Sequence, residues 1–167
     1  MIIWITGISG VGKTTLAKKL YKTLKKKKKN IIHIDGDQFR KMLNNDLGYS
    51  LEDRNINAQR IINFVKFLDK SNINVIISAN LTSSKYRVYC KKNIKNFYEI
   101  NISSKINTLI KRDIKRIYNQ KNKSNIVGFG IKNIINNTSF MKIENNLSKK
   151  LFLKNEIEIL KKLKIKN

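Results

Sequence analysis

The chain has 167 residues, 41% of them apolar, which suits one folded domain with its own core and excludes a disordered tail. Thirty-six lysines and arginines against 11 acids give a formal charge of +25, a charge that predicts attraction to polyanions. Lys, Ile and Asn (30, 28 and 23 residues) make up roughly half the chain and the lysines are spread along its whole length, so the charge alone specifies no nucleic-acid partner.

In chain order, the apolar run Ile2, Ile3, Trp4, Ile5 predicts a first strand over 2–6 with Trp4 in the core. Residues 7 to 14 then read Gly-Ile-Ser-Gly-Val-Gly-Lys-Thr, a complete G-x-x-x-x-G-K-[ST] phosphate-binding loop, and open a helix over 13–25. Gly7, Ile8, Ser9, Gly10, Val11, Gly12, Lys13, Thr14 and Thr15 are the candidate ATP site. Backbone amides there cradle phosphates, Lys13 reaches the β- and γ-phosphates, and the Thr14 hydroxyl is the candidate Mg²⁺ ligand. The lysine run from Lys25 to Lys29 reads as a solvated helix end, where cations suit the macrodipole.

Further strands are predicted over 31–35, 74–79, 97–102 and 140–144, and further helices over 37–44, 52–69, 84–93, 105–119 and 154–164. In the longest helix Ile56, Arg60, Phe64 and Phe67 fall near one face, with Ile61, Val65 and Leu68 beside them. In the last, Ile157, Leu160 and Leu163 are expected to pack. The alternation predicts an α/β fold: a three-layer arrangement with a central parallel sheet and helices on both faces, in one domain over 1–167. The polar stretch 119–139, with Gly128 and Gly130, is expected to form a lid. Ligands of such sheets bind beyond the carboxyl ends of the strands, where the phosphate loop, Asp35 to Asp37, and Asn80 to Thr82 should converge.

Asp35 is the first candidate to orient and deprotonate an acceptor hydroxyl and Asp37 the second, although either could instead cap the following helix. Only six of the 36 basic residues are Arg, and four (Arg40, Arg54, Arg60, Arg112) fall in the motifs considered next. In so lysine-rich a chain an arginine points to its planar fork, which grips phosphate or sulfate oxygens through two parallel bonds. His33 reads as a packed or hydrogen-bonded strand residue, and Cys90, the single cysteine, as a buried thiol in a reducing compartment. No run approaches the ~18 apolar residues of a transmembrane helix, and the N-terminus lacks the order of a signal peptide. These features predict a cytoplasmic protein with no membrane partner.

The stretch Asp35-Gly36-Asp37-x-x-Arg40, then Asp46-Leu47-Gly48-Tyr49-Ser50-x-x-Asp53-Arg54-x-x-Asn57-x-x-Arg60, resembles the adenylylsulfate kinase (APS kinase) family. The loop variant ending Thr14-Thr15 and the later Arg112-Asp113-x-Lys115-x-Ile117-Tyr118 resemble it too, and together they cover roughly residues 2 to 130. The resemblance implies a P-loop kinase that moves the ATP γ-phosphoryl group onto the ribose 3′-hydroxyl of a nucleotide. It implies Lys13, Asp35 and Asp37 at the reacting centre and Arg112 on the nucleotide side. It also implies Arg40, Arg54, Asn57, Arg60, Leu81, Thr82, Lys115 and Ile126 around the acceptor. Homodimers are common in such a family, which makes a second copy an expected partner.

The match breaks near the acceptor's base. The family usually has Phe-Ile-Ser-Pro after the third strand; here the run is Asn80-Leu81-Thr82-Ser83. Its lid carries Asn-Phe-Thr-Gly-Ile-Asp, whose phenylalanine stacks on adenine; here Asn125-Ile126-Val127-Gly128-Phe129-Gly130 replaces that ring with Ile126. A stacked base is worth about 1–3 kcal/mol. Relatives in bacterial surface-polysaccharide pathways phosphorylate cytidine 5′-diphosphoramidate, so adenylylsulfate and that cytidine compound stand as equal expectations. A kinase of another small alcohol, or a nucleotide-dependent binding protein without turnover, is the alternative.

Overall fold

Five consecutive buried residues make β1 (Ile2–Thr6) the central strand of a parallel sheet. Successive side chains point to opposite faces, so Ile3 and Ile5 enter one apolar cluster while Ile2 and Trp4 enter the other. A computed structural model describes residues 1–113, 116–132 and 139–165. Around β1 stand β2 (Ile31–Asp35), β3 (Asn74–Ser78), β4 (Phe97–Ser103) and β5 (Met141–Glu144), in the order β2-β3-β1-β4-β5 with all pairs parallel. Both faces are covered, which is why β1 and the Val75 to Ile77 run of β3 read as unbroken apolar runs. The expected three-layer α/β architecture is the one observed.

On one face pack α1 (Lys13–Lys25), through Leu16, Ala17, Leu20 and Leu24, and the C-terminal pair α6 (Lys149–Leu153) and α7 (Asn155–Lys162). On the other lies α3 (Leu51–Lys70), which buries Ala58, Ile61, Ile62, Val65 and Leu68. Its companions are α2 (Gly36–Met42), with Phe39 buried, and α4 (Ser84–Asn93), with Cys90 buried. Ser50 and Asp53 close a reciprocal capping box that fixes the start of α3. Trp4 lies fully buried with its indole N–H donating to the Ala79 carbonyl at 3.0 Å.

One helical expectation is corrected and one short helix is added. The helix expected over 105–119 is α5 (Ile106–Arg112) and ends at Asp113. There the carboxylate accepts from the amides of Ile117, Tyr118 and Asn119 and turns the chain back, as Asp does where it competes with helix bonding. The helix expected over 154–164 is α7, and the unexpected α6, whose start Ser148 caps, precedes it; Leu160 is buried and Leu163 packs against the cluster as expected, whereas Ile157 faces outward. Of the expected lid, residues 119–132 and 139 are described. Ile126, Val127 and Ile131 join the apolar cluster, and the Gly128 amide donates to Ile131. Among the described residues no helix is long and apolar enough to cross a membrane.

Burial pushes the Cys90 thiol up to about 12, so it stays protonated among its apolar neighbours. Close by, Arg87 Nε donates to Glu99 at 2.8 Å in an ion pair whose side chains are 5% and 0% exposed. Removing one partner leaves a buried charge uncompensated, which costs about 3–5 kcal/mol. Arg87→Met should therefore lower the unfolding free energy by that amount in urea titrations, and a loss below about 1 kcal/mol would show the pair to be dispensable.

Candidate active site

The phosphate loop joins β1 to α1 in a path that only glycine permits at two points. Gly7 has φ 142°, and a Cβ there would sit 2.2 Å from the Ile102 carbonyl oxygen; Gly12 has φ 101° and faces Asn145 and Phe152 at 2.9 Å. Gly12 caps α1 with no side-chain oxygen, and no acid occupies the first turn. The amides and positive dipole end of that helix are thus directed at an anion. Asn145, after β5, donates to the Val11 carbonyl at 2.9 Å, and the Tyr118 hydroxyl donates to the Ser9 carbonyl; both pin the loop from outside. Lys13 Nζ donates to the carbonyls of Gly7 (2.8 Å) and Ile8 (2.9 Å), so its ammonium lies over the loop.

Asp35 ends β2 and caps α2. Its Oδ1 accepts from the amides of Asp37 (3.0 Å) and Gln38 (3.3 Å), and its Oδ2 accepts from Thr14 Oγ1 (2.6 Å) and Ser78 Oγ (2.9 Å). Burial pushes the carboxyl upward, but the bonds from Thr14, Ser78 and the two amides outweigh it and hold Asp35 below the ordinary carboxylate range. The capping role that sequence left open between the two aspartates therefore belongs to Asp35, and Asp37 stands exposed in the first turn of α2.

A cavity of about 820 Å³ opens over the carboxyl ends of the strands. It is lined by Ser9, Gly10, Gly12, Lys13, Thr14 and Thr15 of the phosphate loop, by Asp35 and Asp37, and by Arg40, Tyr49, Arg54 and Asn57. Arg40 and Arg54 both lie against the Tyr49 ring, at 4.9 and 5.4 Å from its centroid. Arg40 donates to the Gly48 carbonyl at 2.6 Å; Arg54 donates to the carbonyls of Tyr49 and, across the cavity, Asn125, both at 2.9 Å. Burial and the neighbouring Arg40 charge lower the pKa of Arg54, the signature of two guanidiniums crowded where an anion would relieve them. Arg40 Nε and Asn57 Oδ1 are buried without a hydrogen-bond partner in the protein.

Not every expected residue reaches this cavity. Ile126 lines it, 7% exposed. Gly7, Ile8 and Val11 shape the loop from behind. Arg60 lies outside the wall, its fork closed on Asp46 by two 2.7 Å bonds, so it ties the Asp46 loop to α3. Leu81 is in the core with its amide on Thr6, and the Thr82 hydroxyl donates to Asn55. Arg112 donates to the carbonyls of Asn145 and Leu147, bracing the segment after β5. Lys115 lies outside the described residues. Among the lining residues given no site role from sequence are Tyr49 and Ser78. Tyr49 lay inside a quoted motif and could have been found there; Ser78, at the end of an apolar strand, carried no signal.

The model of the family described as Adenylylsulphate kinase matches residues 1–139. This chain belongs to the APS kinase family. It is 38% identical over 133 residues to a cytidine diphosphoramidate kinase of Campylobacter jejuni subsp. jejuni, covering 78% of each chain. It is 36% identical over 117 residues to a probable adenylyl-sulfate kinase of Pseudomonas aeruginosa, covering 70% of this chain and 55% of that relative, just over half its length. In fold it is similar to the structure of Mycobacterium tuberculosis APS kinase CysC in complex with AMPPNP and APS, with a TM-score of 0.81 at 24% identity over 98% and 96% of the two chains. As an APS kinase family member with an intact phosphate loop, the chain is an ATP-dependent kinase.

Proposed function

We propose that the chain transfers the ATP γ-phosphoryl group to the ribose 3′-hydroxyl of a nucleotide whose anionic end lies against Arg40 and Arg54. The observation that carries this is one cavity lined by a phosphate loop, two aspartates and two arginines. Such transfer needs in-line positioning and cations more than covalent help. Lys13 neutralises charge on the transferring phosphoryl group, and Arg40 and Arg54 hold the acceptor so that its hydroxyl meets Asp37 and Asp35. Asp37, at the exposed rim, suits proton acceptance late in the transfer, whereas four donors already occupy Asp35.

A Mg²⁺ ion fits the donor chemistry here. Thr14 gives its proton to Asp35, which leaves its oxygen lone pairs for a hard cation, and Mg²⁺ is commonly held by few protein oxygens together with substrate phosphates. When bound, the ion supplies charge neutralisation between the β- and γ-phosphates.

Two acceptors fit this reading. Cytidine 5′-diphosphoramidate is supported by the Campylobacter relative, covered equally in both chains, and by aliphatic Ile126 on the cavity wall. Adenylylsulfate is supported by the family match over 1–139. An ADP-release assay with each acceptor, with the phosphorylated position mapped by phosphorus NMR, tests both. Phosphate on the ribose 3′-oxygen of either is the expected result. ADP release with sugar acids only, or ATP binding without turnover of any acceptor, would overturn the reading.

A further inference from the structure

Ser78 Oγ stands between two neighbours, Asp35 Oδ2 at 2.9 Å and His33 Nε2 at 3.0 Å. The three are brought together by strand geometry. His33 and Asp35 are two apart on β2 and share a face of the sheet, and Asp35 pairs with Ser78 of β3 in parallel register. A serine hydroxyl has one proton to give, and an ionised carboxylate can only accept. The Ser78 proton therefore belongs to Asp35, and the contact with His33 is a hydrogen bond only if Nε2 carries the hydrogen. The donors then run one way, from His33 Nε2–H through Ser78 Oγ–H to Asp35 Oδ2, the oxygen on which Thr14 also ends at 2.6 Å.

From this one-way chain we infer that His33 is a positioning residue of the phosphoryl-transfer site, fixing the Nε2–H to Ser78 to Asp35 polarity that keeps Thr14's proton on Asp35 and its lone pairs free for a cation. The inference rests on the kinase reading above, since Thr14 and Asp35 line the same cavity as Lys13. His33 itself stays outside that wall, one residue removed from the cavity behind Ser78. Its ring is half-buried beside Tyr21 of α1, with centroids 6.3 Å apart. Burial lowers the imidazole pKa, with Asp35 opposing and Lys18 of α1 adding to the shift, which favours a neutral ring holding one hydrogen. Without that donor Ser78 could point its proton elsewhere, and Asp35 would lose one of the bonds that keep it an acceptor.

His33 is the only histidine in the chain, so its imidazole ¹⁵N signals need no assignment. Long-range ¹H–¹⁵N spectra at neutral pH should show the Nε2–H tautomer in the wild type and a loss of that preference in Ser78→Ala; an Nδ1–H tautomer overturns the inference. The second readout is the Mg²⁺-dependent gain in affinity for a non-hydrolysable ATP analogue, measured calorimetrically with and without the metal. His33→Leu should reduce that gain about fivefold, as the loss of one hydrogen bond would, while His33→Gln, which keeps an N–H donor, changes it less than about twofold. Ser78→Ala should match His33→Leu, and the double variant should lose no more, because the residues act in series. An unchanged gain in His33→Leu, equal losses in the leucine and glutamine variants, or additive losses in the double variant would each overturn it. Neither readout uses an acceptor, so a failed acceptor screen and a failed relay are separate results.

Discussion

Lys13→Ala should lower turnover by roughly 10²- to 10³-fold, the scale seen when one preorganised group facing developing charge is removed. The physical reason lies in where Nζ is held. It sits 2.8 and 2.9 Å from the Gly7 and Ile8 carbonyls, over the amides that open α1, so its charge is already placed where phosphate oxygens must lie. Because the lysine is half-buried and its bonds to the Gly7 and Ile8 carbonyls stay within the loop, the fold should survive its loss. Steady-state assays with either acceptor, run beside a thermal melt, check the claim. Wild-type turnover in a folded Lys13→Ala protein would remove the loop from the chemistry and return the chain to a binding role.

The centre of the sheet was legible because β1 and β3 are buried on both faces and so read as unbroken apolar runs, at Ile2 to Ile5 and Val75 to Ile77. The phosphate loop was legible because its glycines answer to backbone geometry at Gly7 and Gly12, which few other residues tolerate. Arginine rarity singled out Arg40 and Arg54, which line the cavity, but could not separate them from Arg60, which does not. Only the fold reveals that Asp46 is near enough to close the Arg60 fork. The end of α5 was illegible for a related reason: Lys111 and Arg112 continue the helical pattern, and the stop comes from the Asp113 carboxylate bonding amides ahead of it. Ile157 turns outward because the buried side of α7 runs through Glu156, Ile159 and Leu160. His33 read as a packed or hydrogen-bonded strand residue, but its partner could not be named because Ser78 is 45 residues away in sequence.

Asp35→Asn is the sharper test of how the cavity works. The amide is nearly isosteric, and its oxygen can still accept from the Asp37 and Gln38 amides, so α2 keeps its cap. Its other end becomes an NH₂ group facing Thr14 and Ser78, two hydroxyls that both donate in the wild type. One donor set must give way, and the Thr14 hydroxyl is then turned with its proton toward the cavity, against any cation there. Turnover should fall about 10²-fold while affinity for ATP without Mg²⁺ changes by less than about threefold. Stability supplies an independent sign. Asp35 is held below its ordinary pKa in the folded protein, so its stabilisation is present above about pH 4 and is lost as pH falls through the lowered folded value. The gap in unfolding free energy between wild type and Asp35→Asn should therefore be constant near neutrality and narrow in acid. A gap that widened as pH fell would mean the carboxyl is protonated in the folded state, and Thr14 would then have no ionised acceptor to hold its proton.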